Sequence, residues 1–444
     1  MAPYPDPTSR SAELFDRSRK VLPGGNTRTT VYHAPYPIFA RSGSGCRVTD
    51  VDGVERVDFI NNYTSLIHGH SHPEITAALS EQLRLGTCFA NPTEAEVALA
   101  EVLCARVSSF DRVRFCNSGT EAVMNAVKAA RAYTDRPMIA KVEGSYHGAY
   151  DPLEVSLDPS PANWGEDVPA RIPYARGTPQ GVLDDVVVLP YNDAAAAERL
   201  IGAHADRLAA VVLDLVPNRL GLIPAQPAFV ETLRRLTRAH GIVLIVDEVI
   251  TFRLDEGGAQ HLYGVEPELT TLGKIIGGGL PVGAVAGKAE VMAVFDGSQG
   301  RAPLPHGGTF NANPLTMVAG RKAMELLTPE AFAHINALGD QARTELRRAF
   351  AVAGVPGQVM GQGSLFTIHF KERAPTNYRE QYKTPAEARL MSHVFQHLLN
   401  AGVVIGSGGM GAVSTPMTGA EIDQLAEALL GALRGIPQAA AVVA

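Results

Sequence analysis

Lysine is scarce in this 444-residue chain: it supplies eight of the 39 basic side chains, and arginine supplies the other 31. Chemistry that needs a lysine amine therefore has eight candidates. Cysteine is scarcer still, with only Cys46, Cys88, Cys104 and Cys116 and no CxxC pair. That is too few to staple a chain of this length, and free thiols in a reducing compartment are expected. No run approaches the roughly 18 uninterrupted apolar residues of a membrane span. The first 20 residues lack an apolar stretch behind basic residues, so no secretory signal is expected and the protein is read as cytoplasmic. Positive charge is not in excess either. The 39 basic residues face 46 acidic ones, a formal −7, which argues against a protein devoted to nucleic acid phosphates. What remains is ordinary globular material, 45% hydrophobic and 19% charged, without low complexity or a repeat.

The middle of the chain alternates two periodicities. Ser118 to Thr134 has apolar residues at helical spacing, and the strand-like run Met138 to Val142 follows it. Leu208 to Val216 reads as a buried strand, Pro227 to His240 as a helix, and Ile242 to Val246 as a second buried strand ending at Asp247. Strand, helix, strand at this spacing predicts βαβ units and a mostly parallel sheet covered on both faces. Beyond residue 320 the pattern becomes α+β. Pro329 to Gly354, Pro385 to Ala401 and Ala420 to Leu433 read as helices, and Gly363 to Phe370 and Gly402 to Pro416 as strands. Cys46 to Phe59 alternates around Asp52–Gly53, a hairpin signal. The expected division is an N-terminal segment 1–65 joining a small lobe at 321–444, with a large domain at 66–320. The Pro- and Gly-rich stretch Val155 to Val187 holds the only tryptophan, Trp164, and reads either as a site wall or lid or as a surface insertion.

Among the eight lysines only Lys274 has unusual surroundings. It follows an apolar stretch and precedes Gly277, Gly278 and Gly279, which let backbone pass close to something bulky. By itself it reads equally as a surface lysine beside a loop. Asp247 changes the balance, because it ends a very apolar strand where ligands of open α/β sheets bind. A buried carboxylate there needs a cationic or hydrogen-bonding partner. Pyridoxal phosphate provides one: its ring nitrogen, kept protonated by a carboxylate, draws electrons from a substrate carbanion. A lysine would then form the Schiff base and move the proton. Asn117, Ser118, Gly119 and Thr120 sit where a helix begins, and unpaired N–H groups there favour a phosphate. Ser118 with Glu121 also reads as a plain capping box.

The chain resembles the class III, fold type I aminotransferases that use pyridoxal phosphate, and within them the branch of glutamate-1-semialdehyde aminomutases and β-amino acid transaminases. The resemblance runs from LPGGNTR near residue 22 to the C-terminal helix. It rests on FCNSGTEA, GSYHGAYD, DEVITFRL, TLGKIIGGGLPVGA and GGTFNANPL, in family order. It implies an α/β fold with a large domain of mostly parallel sheet between helices and a smaller α+β domain. It makes Lys274 the Schiff-base lysine and Asp247 the partner of the ring nitrogen, with Ser118, Gly119 and Thr120 on the phosphate. Tyr146 falls on one ring face and Val249 on the other. Thr309 matches the threonine that reaches the phosphate of a neighbouring subunit, which implies a homodimer with shared sites. His147, beside Tyr146, is read as a packed histidine. Arg28 falls where the branch binds a substrate carboxylate, a task suited to a guanidinium. A surface arginine is the plainer reading, and Arg41 is a weaker rival.

Two departures bear on the substrate. The family's Glu-Pro is here Asp214-Leu215, followed by Val216-Pro217-Asn218-Arg219. Where some β-amino acid transaminases bring in a second arginine, this chain has Gly406, Gly408 and Gly409, which suggests a roomier, less charged pocket opposite Arg28. His68, His70 and His72 alternate as metal ligands do, but Gly-His is a family feature here and Pro73 starts a helix, so no metal is expected. The run Gly277–Gly283 lacks G-x-G-x-x-G spacing, and Gly287-Lys288 is followed by Ala289, so neither is a nucleotide loop. The implied activity is amino transfer from an amino acid, a β-amino acid among the candidates, or an amine to a keto acid or aldehyde. It would run as a ping-pong reaction through a Schiff base on Lys274. The alternative is a 2,1-aminomutase, the same chemistry with the intermediate retained. A non-catalytic relative is disfavoured by the intact lysine, aspartate and phosphate loop.

Overall fold

The computed structural model describes residues 3–436. Three strands open the chain: β1 (Ala40–Ser44), β2 (Arg47–Asp50) and β3 (Glu55–Asp58). Seven follow: β4 (Arg112–Cys116), β5 (Met138–Val142), β6 (Val186–Leu189), β7 (Leu208–Leu213), β8 (Val243–Asp247), β9 (Leu269–Gly273) and β10 (Gly283–Gly287). Four close it: β11 (Gln358–Met360), β12 (Leu365–His369), β13 (Val403–Val404) and β14 (Met410–Ala412).

The seven middle strands form one sheet in the order β4-β10-β9-β8-β7-β5-β6. Neighbours from β9 to β6 run parallel, and β10 alone runs antiparallel to β9 and β4. Every residue of β5 to β10 is buried. Two separate apolar clusters explain why: Ala140, Val142, Val211 and Leu244 pack on one face, and Ile139, Val212, Val243 and Ile245 on the other. Continuous apolar runs are what a sheet covered on both faces requires.

The helix Pro227–His240 covers one face through Phe229, Val230, Leu233 and Leu236, a spacing of three and four that keeps one stripe inward. It stops at Gly241, whose φ of 61° is the left-handed C-cap that glycine tolerates. The helix Gly119–Thr134 lies across β7 to β10 on the opposite face. Its inward stripe consists of Ala and Val, small enough to bring it close to the strands.

The hairpin forms as expected, β2 against β3, with Gly53 at a φ of 81° in the turn. β3 then pairs in parallel with β13, so residues near 57 and near 403 share one sheet. The expected single strand over Gly402–Pro416 is two, β13 and β14, because the chain reverses through Gly406–Gly409, with Gly409 at a φ of 96°. The helices Pro329–Ala353 and Gly419–Arg434 pack together in this C-terminal region, while β12 pairs with β11 and β14. No helix of the described residues is long and apolar enough to cross a membrane.

Candidate active site

The parallel strands all deliver their carboxyl ends to one edge of the sheet, where side chains following each strand converge. Asp247 closes β8 and is 4% exposed. Its Oδ1 accepts from the Val249 N–H at 3.1 Å and the Thr271 hydroxyl at 3.0 Å. Its Oδ2 stands 2.7 Å from His147 Nδ1. Three polar partners thus fix this buried carboxylate in place. His147 is 1% exposed, and its other nitrogen, Nε2, has no protein partner. The histidine read as mere packing is therefore part of the site.

Lys274 follows β9 directly, one strand over from Asp247, with a φ of 48°. A non-glycine residue in the left-handed region is strained, and such strain concentrates at functional sites. Burial pulls the Lys274 ammonium below its ordinary pKa, opposed by Asp247 and Asp214. Asp214 follows β7. Since Leu213 pairs with Val246, Asp214 lies abreast of Asp247. It is 6% exposed, and burial first and the Asp247 charge second push its carboxyl well above the ordinary range. The departure from Glu-Pro thus places a short acid inside the site, held by the Val216 N–H at 2.9 Å.

The Asn117–Ser118 turn joins β4 to the helix Gly119–Thr134. Ser118 caps this helix through the Glu121 N–H at 3.1 Å. The reciprocal arm of a capping box would reach the Ser118 N–H, but the Glu121 carboxylate instead accepts from Asn117 at 2.5 Å. Among the described residues no acceptor meets the N–H groups of Ser118, Gly119 and Thr120, which leaves a cradle for an anion at the positive end of a 16-residue helix. Gly119 lets Val249 approach closely, since a Cβ would stand 3.0 Å from Val249 Cγ1. Val249 also approaches Gly273, within 3.3 Å of where a Cβ would be, so it lies between the loop and the residue before Lys274.

After β5 the segment Gly144–Gly148 folds back over the loop. The Ala149 N–H reaches the Thr120 hydroxyl at 3.2 Å, and Gly148 sits so close that a Cβ would meet Thr120 at 2.6 Å. Tyr146 is left 49% exposed on this segment. Burial raises its phenol, and the Thr120 hydroxyl beside it opposes that shift. A turn from 306 to 311 reaches the loop too, with Asn117 donating to Asn311 at 2.7 Å. Thr309 stands exposed on that turn.

Arg28 is exposed and carries no carboxylate. Its Nη1 donates to Asn62 Oδ1 at 2.9 Å, and its Cζ lies 6.0 Å from the Tyr63 ring centroid. Arg41 is exposed on β1. The region of Gly408 is not charge-free: Lys383 Nζ donates to the Gly408 carbonyl at 2.6 Å. The first part of the stretch 155–187 is a packed wall. The Tyr378 hydroxyl donates to the Pro159 carbonyl at 2.7 Å, and Arg379 binds the Trp164 carbonyl at 2.9 Å. Arg379 also makes a bidentate pair with Glu143, at 2.9 and 3.0 Å, just ahead of the Tyr146 segment. Two of the three histidines of HGHSH have other partners: His68 binds Thr415 and the Ala323 carbonyl, and His70 binds Asp58 at 2.8 Å.

Sequence reasoning missed Asn62, Tyr63, Glu143 and Arg379, because only the fold brings them together. His147 was visible as a neighbour of Tyr146 but carried no signal for its bond to Asp247. Pyridoxal phosphate fits this edge. A phosphate meets the open N–H cradle, a carboxylate stands ready for the ring nitrogen, and the buried Ser145 hydroxyl and His147 Nε2 have no protein partner.

The chain is similar to proteins of known activity over nearly its whole length. Glutamate-1-semialdehyde 2,1-aminomutase 2 of Brevibacillus brevis is 39% identical over 401 residues, covering 89% of this chain and 91% of that one. An omega-transaminase from Sphaerobacter thermophilus is 55% identical, with a TM-score of 0.95 over 97% of this chain and 98% of that one. A β-phenylalanine aminotransferase from Variovorax paradoxus is 35% identical, with a TM-score of 0.85 over 95% and 93%. The model for class-III aminotransferases matches residues 29–433. With these likenesses spanning the sheet edge that gathers Lys274, Asp247 and the open N–H cradle, the chain belongs to the class-III aminotransferase family and uses pyridoxal phosphate.

Proposed function

We propose that this enzyme transfers the amino group of a carboxylate-bearing amine, a β-amino acid first among them, to a keto acid. One observation carries the choice of donor: the Arg28 guanidinium is exposed, braced by Asn62 and Tyr63, and has no carboxylate partner among the described residues. The named activities of the Sphaerobacter and Variovorax relatives support it. When bound, pyridoxal phosphate supplies the carbonyl that takes up the amino group and the ring that withdraws electrons.

The chain's own residues do the rest in this reading. The N–H groups of Ser118, Gly119 and Thr120 hold the phosphate, with the Thr120 hydroxyl among the Tyr146 segment. Asp247 fixes a proton on the ring nitrogen, its charge steadied by His147, Thr271 and the Val249 N–H. Tyr146 covers one ring face and Val249 the other. Lys274 Nζ holds the cofactor at rest and, once freed, carries the proton from the donor carbon. Its lowered pKa makes a neutral amine, the form that accepts a proton, easier to reach. Arg28 binds the substrate carboxylate.

The same reading makes the enzyme a cytoplasmic homodimer in which Thr309 reaches a neighbour's phosphate. Exposed Leu83, Leu85, Phe89 and Phe310 support a covered surface of that kind. It also assigns 66–320 to cofactor binding and 1–65 with 321–444 to a smaller lobe, supported by the β3–β13 pairing.

The second reading is a 2,1-aminomutase, favoured by relatives of that name at 36–39% identity. The deciding experiment is turnover of β-phenylalanine and of glutamate-1-semialdehyde with and without an external keto acid. Turnover that depends on keto acid supports the transaminase, and isomerisation without one supports the mutase.

A further inference from the structure

Residues 61–64 form one turn of left-handed helix. Their φ angles are 50° at Asn61, 48° at Asn62, 54° at Tyr63 and 75° at Thr64, and none is glycine. Side chains with a Cβ disfavour this region, and consecutive residues there are rarer still. Such a turn persists only when its surroundings over-determine it.

They do. Asp58 Oδ1 accepts from the N–H groups of Ile60 at 2.8 Å and Asn61 at 3.0 Å. Asn61 Nδ2 donates to the Ala412 carbonyl at 2.7 Å, and the Leu66 N–H to the Asn61 carbonyl at 3.0 Å. Arg253 closes the clamp from inside. It is 0% exposed and, among the described residues, meets no carboxylate. Its guanidinium donates to the Thr64 carbonyl at 3.1 Å, to the Ser364 hydroxyl at 2.9 Å and to the Val413 carbonyl. A buried cation spent on two carbonyls and a hydroxyl is costly unless the arrangement it fixes matters.

What the turn presents is the support of Arg28. Asn62 Nδ2 donates to the Ser65 hydroxyl at 3.1 Å, which turns its amide oxygen toward Arg28 Nη1 at 2.9 Å. The Tyr63 hydroxyl donates to the Thr30 carbonyl, two residues past Arg28. The turn also abuts the catalytic loop: a Cβ on Gly279 would stand 2.9 Å from Leu66 Cδ2.

We propose that Asn62 is a positioning residue that aims the Arg28 guanidinium at the substrate carboxylate, from a left-handed turn clamped by Arg253. One Nη of Arg28 is engaged by the amide, which leaves the rest of the fork for bidentate binding. The inference rests on Arg28 being the carboxylate site.

The test uses the holoenzyme with Asn62→Gly, Asn62→Ala and Arg28→Gln. Asn62→Gly removes the amide and relaxes the backbone, so its melting temperature holds or rises. The expected result is a rise of about tenfold in the KM for β-phenylalanine relative to that for 1-phenylethylamine, with kcat held within about twofold. Binding of 3-phenylpropanoate, read from the cofactor absorbance, weakens by a similar factor. Equal losses toward acid and amine, or unchanged 3-phenylpropanoate binding, overturn the proposal. If Arg28→Gln alone weakens carboxylate binding and both Asn62 variants do not, positioning fails while the Arg28 reading stands. If Arg28→Gln has no effect, the underlying reading fails.

Discussion

Replacing Arg379 with methionine tests how the segment around Trp164 is tied to Glu143. Glu143 is 2% exposed, and Arg379 binds it bidentately. The same guanidinium holds the carbonyls of Trp164, Gly165 and Glu166 and stacks 5.1 Å from the Trp164 ring. Removing one partner of a buried pair leaves the other charge uncompensated, at a cost of about 3–5 kcal/mol. An unfolding entropy of ~2.1 cal/mol/K per residue makes that a fall of about 3–5 °C in melting temperature for a chain this long. The loss depends on pH with a defined sign. Burial already raises the Glu143 carboxyl above its ordinary value, despite Arg379 and Lys141, which lower it. A carboxyl whose folded pKa is raised keeps its proton longer folded than unfolded, so stability declines as pH climbs from the unfolded value through the folded one. Without Arg379 the folded value climbs further, and the deficit at pH 8 exceeds that near pH 5. Thermal unfolding of the holoenzyme at both pH values measures this, and cofactor affinity reports whether the Tyr146 segment loosens. Adding Glu143→Gln in the Arg379→Met background removes the stranded charge and restores most of the loss at pH 8. Equal melting temperatures at pH 8, or no recovery in the double variant, would refute the reasoning.

Further outcomes follow from the same geometry. Burial and the Asp247 charge push the Asp214 carboxyl well above its ordinary range, so Asp214→Asn costs little of its charge and at pH 8 melts no lower than the parent, whereas Asp247→Asn loses at least 100-fold in kcat. Gly283→Ala puts a Cβ 2.0 Å from the Ser118 carbonyl and 2.8 Å from Cys116 Sγ, so it weakens cofactor affinity by at least tenfold, measured by equilibrium dialysis. The Lys274 ammonium lies below its ordinary value, so cofactor reloading of the apoenzyme, followed by visible absorbance, has its alkaline midpoint below 10.5. Lys274→Ala abolishes both the borohydride-sensitive band and turnover.

Much of the fold was legible because burial on both sheet faces forces long apolar runs, and β5, β7 and β8 stand where those runs are. The start of one helix was equally plain, since the Ser118 hydroxyl accepts from the Glu121 N–H three residues on. The strand over 402–416 was misjudged because a reversal at glycines and a continuous strand share the same composition. His147 and Asp214 could be named but not weighed. A histidine's role depends on what its ring faces, and Asp247 is 100 residues away along the chain.

The sequence by itself determined the sheet, the helix that starts at Ser118 and the unusual setting of Lys274. Those depend on local pattern: hydrophobic period, a cap, and a lysine among glycines. Tertiary structure alone decided what surrounds them. Arg379 meets Glu143 across 236 residues, Arg253 meets Thr64 across 189, and Arg28 meets Asn62 across 34. Hydrogen bonds between such distant partners leave no periodicity behind, and the left-handed turn at 61–64 contains no glycine to announce it. The scarce lysine stood out by its local setting, while the abundant arginines, indistinguishable in sequence, acquired separate partners only when the chain folded.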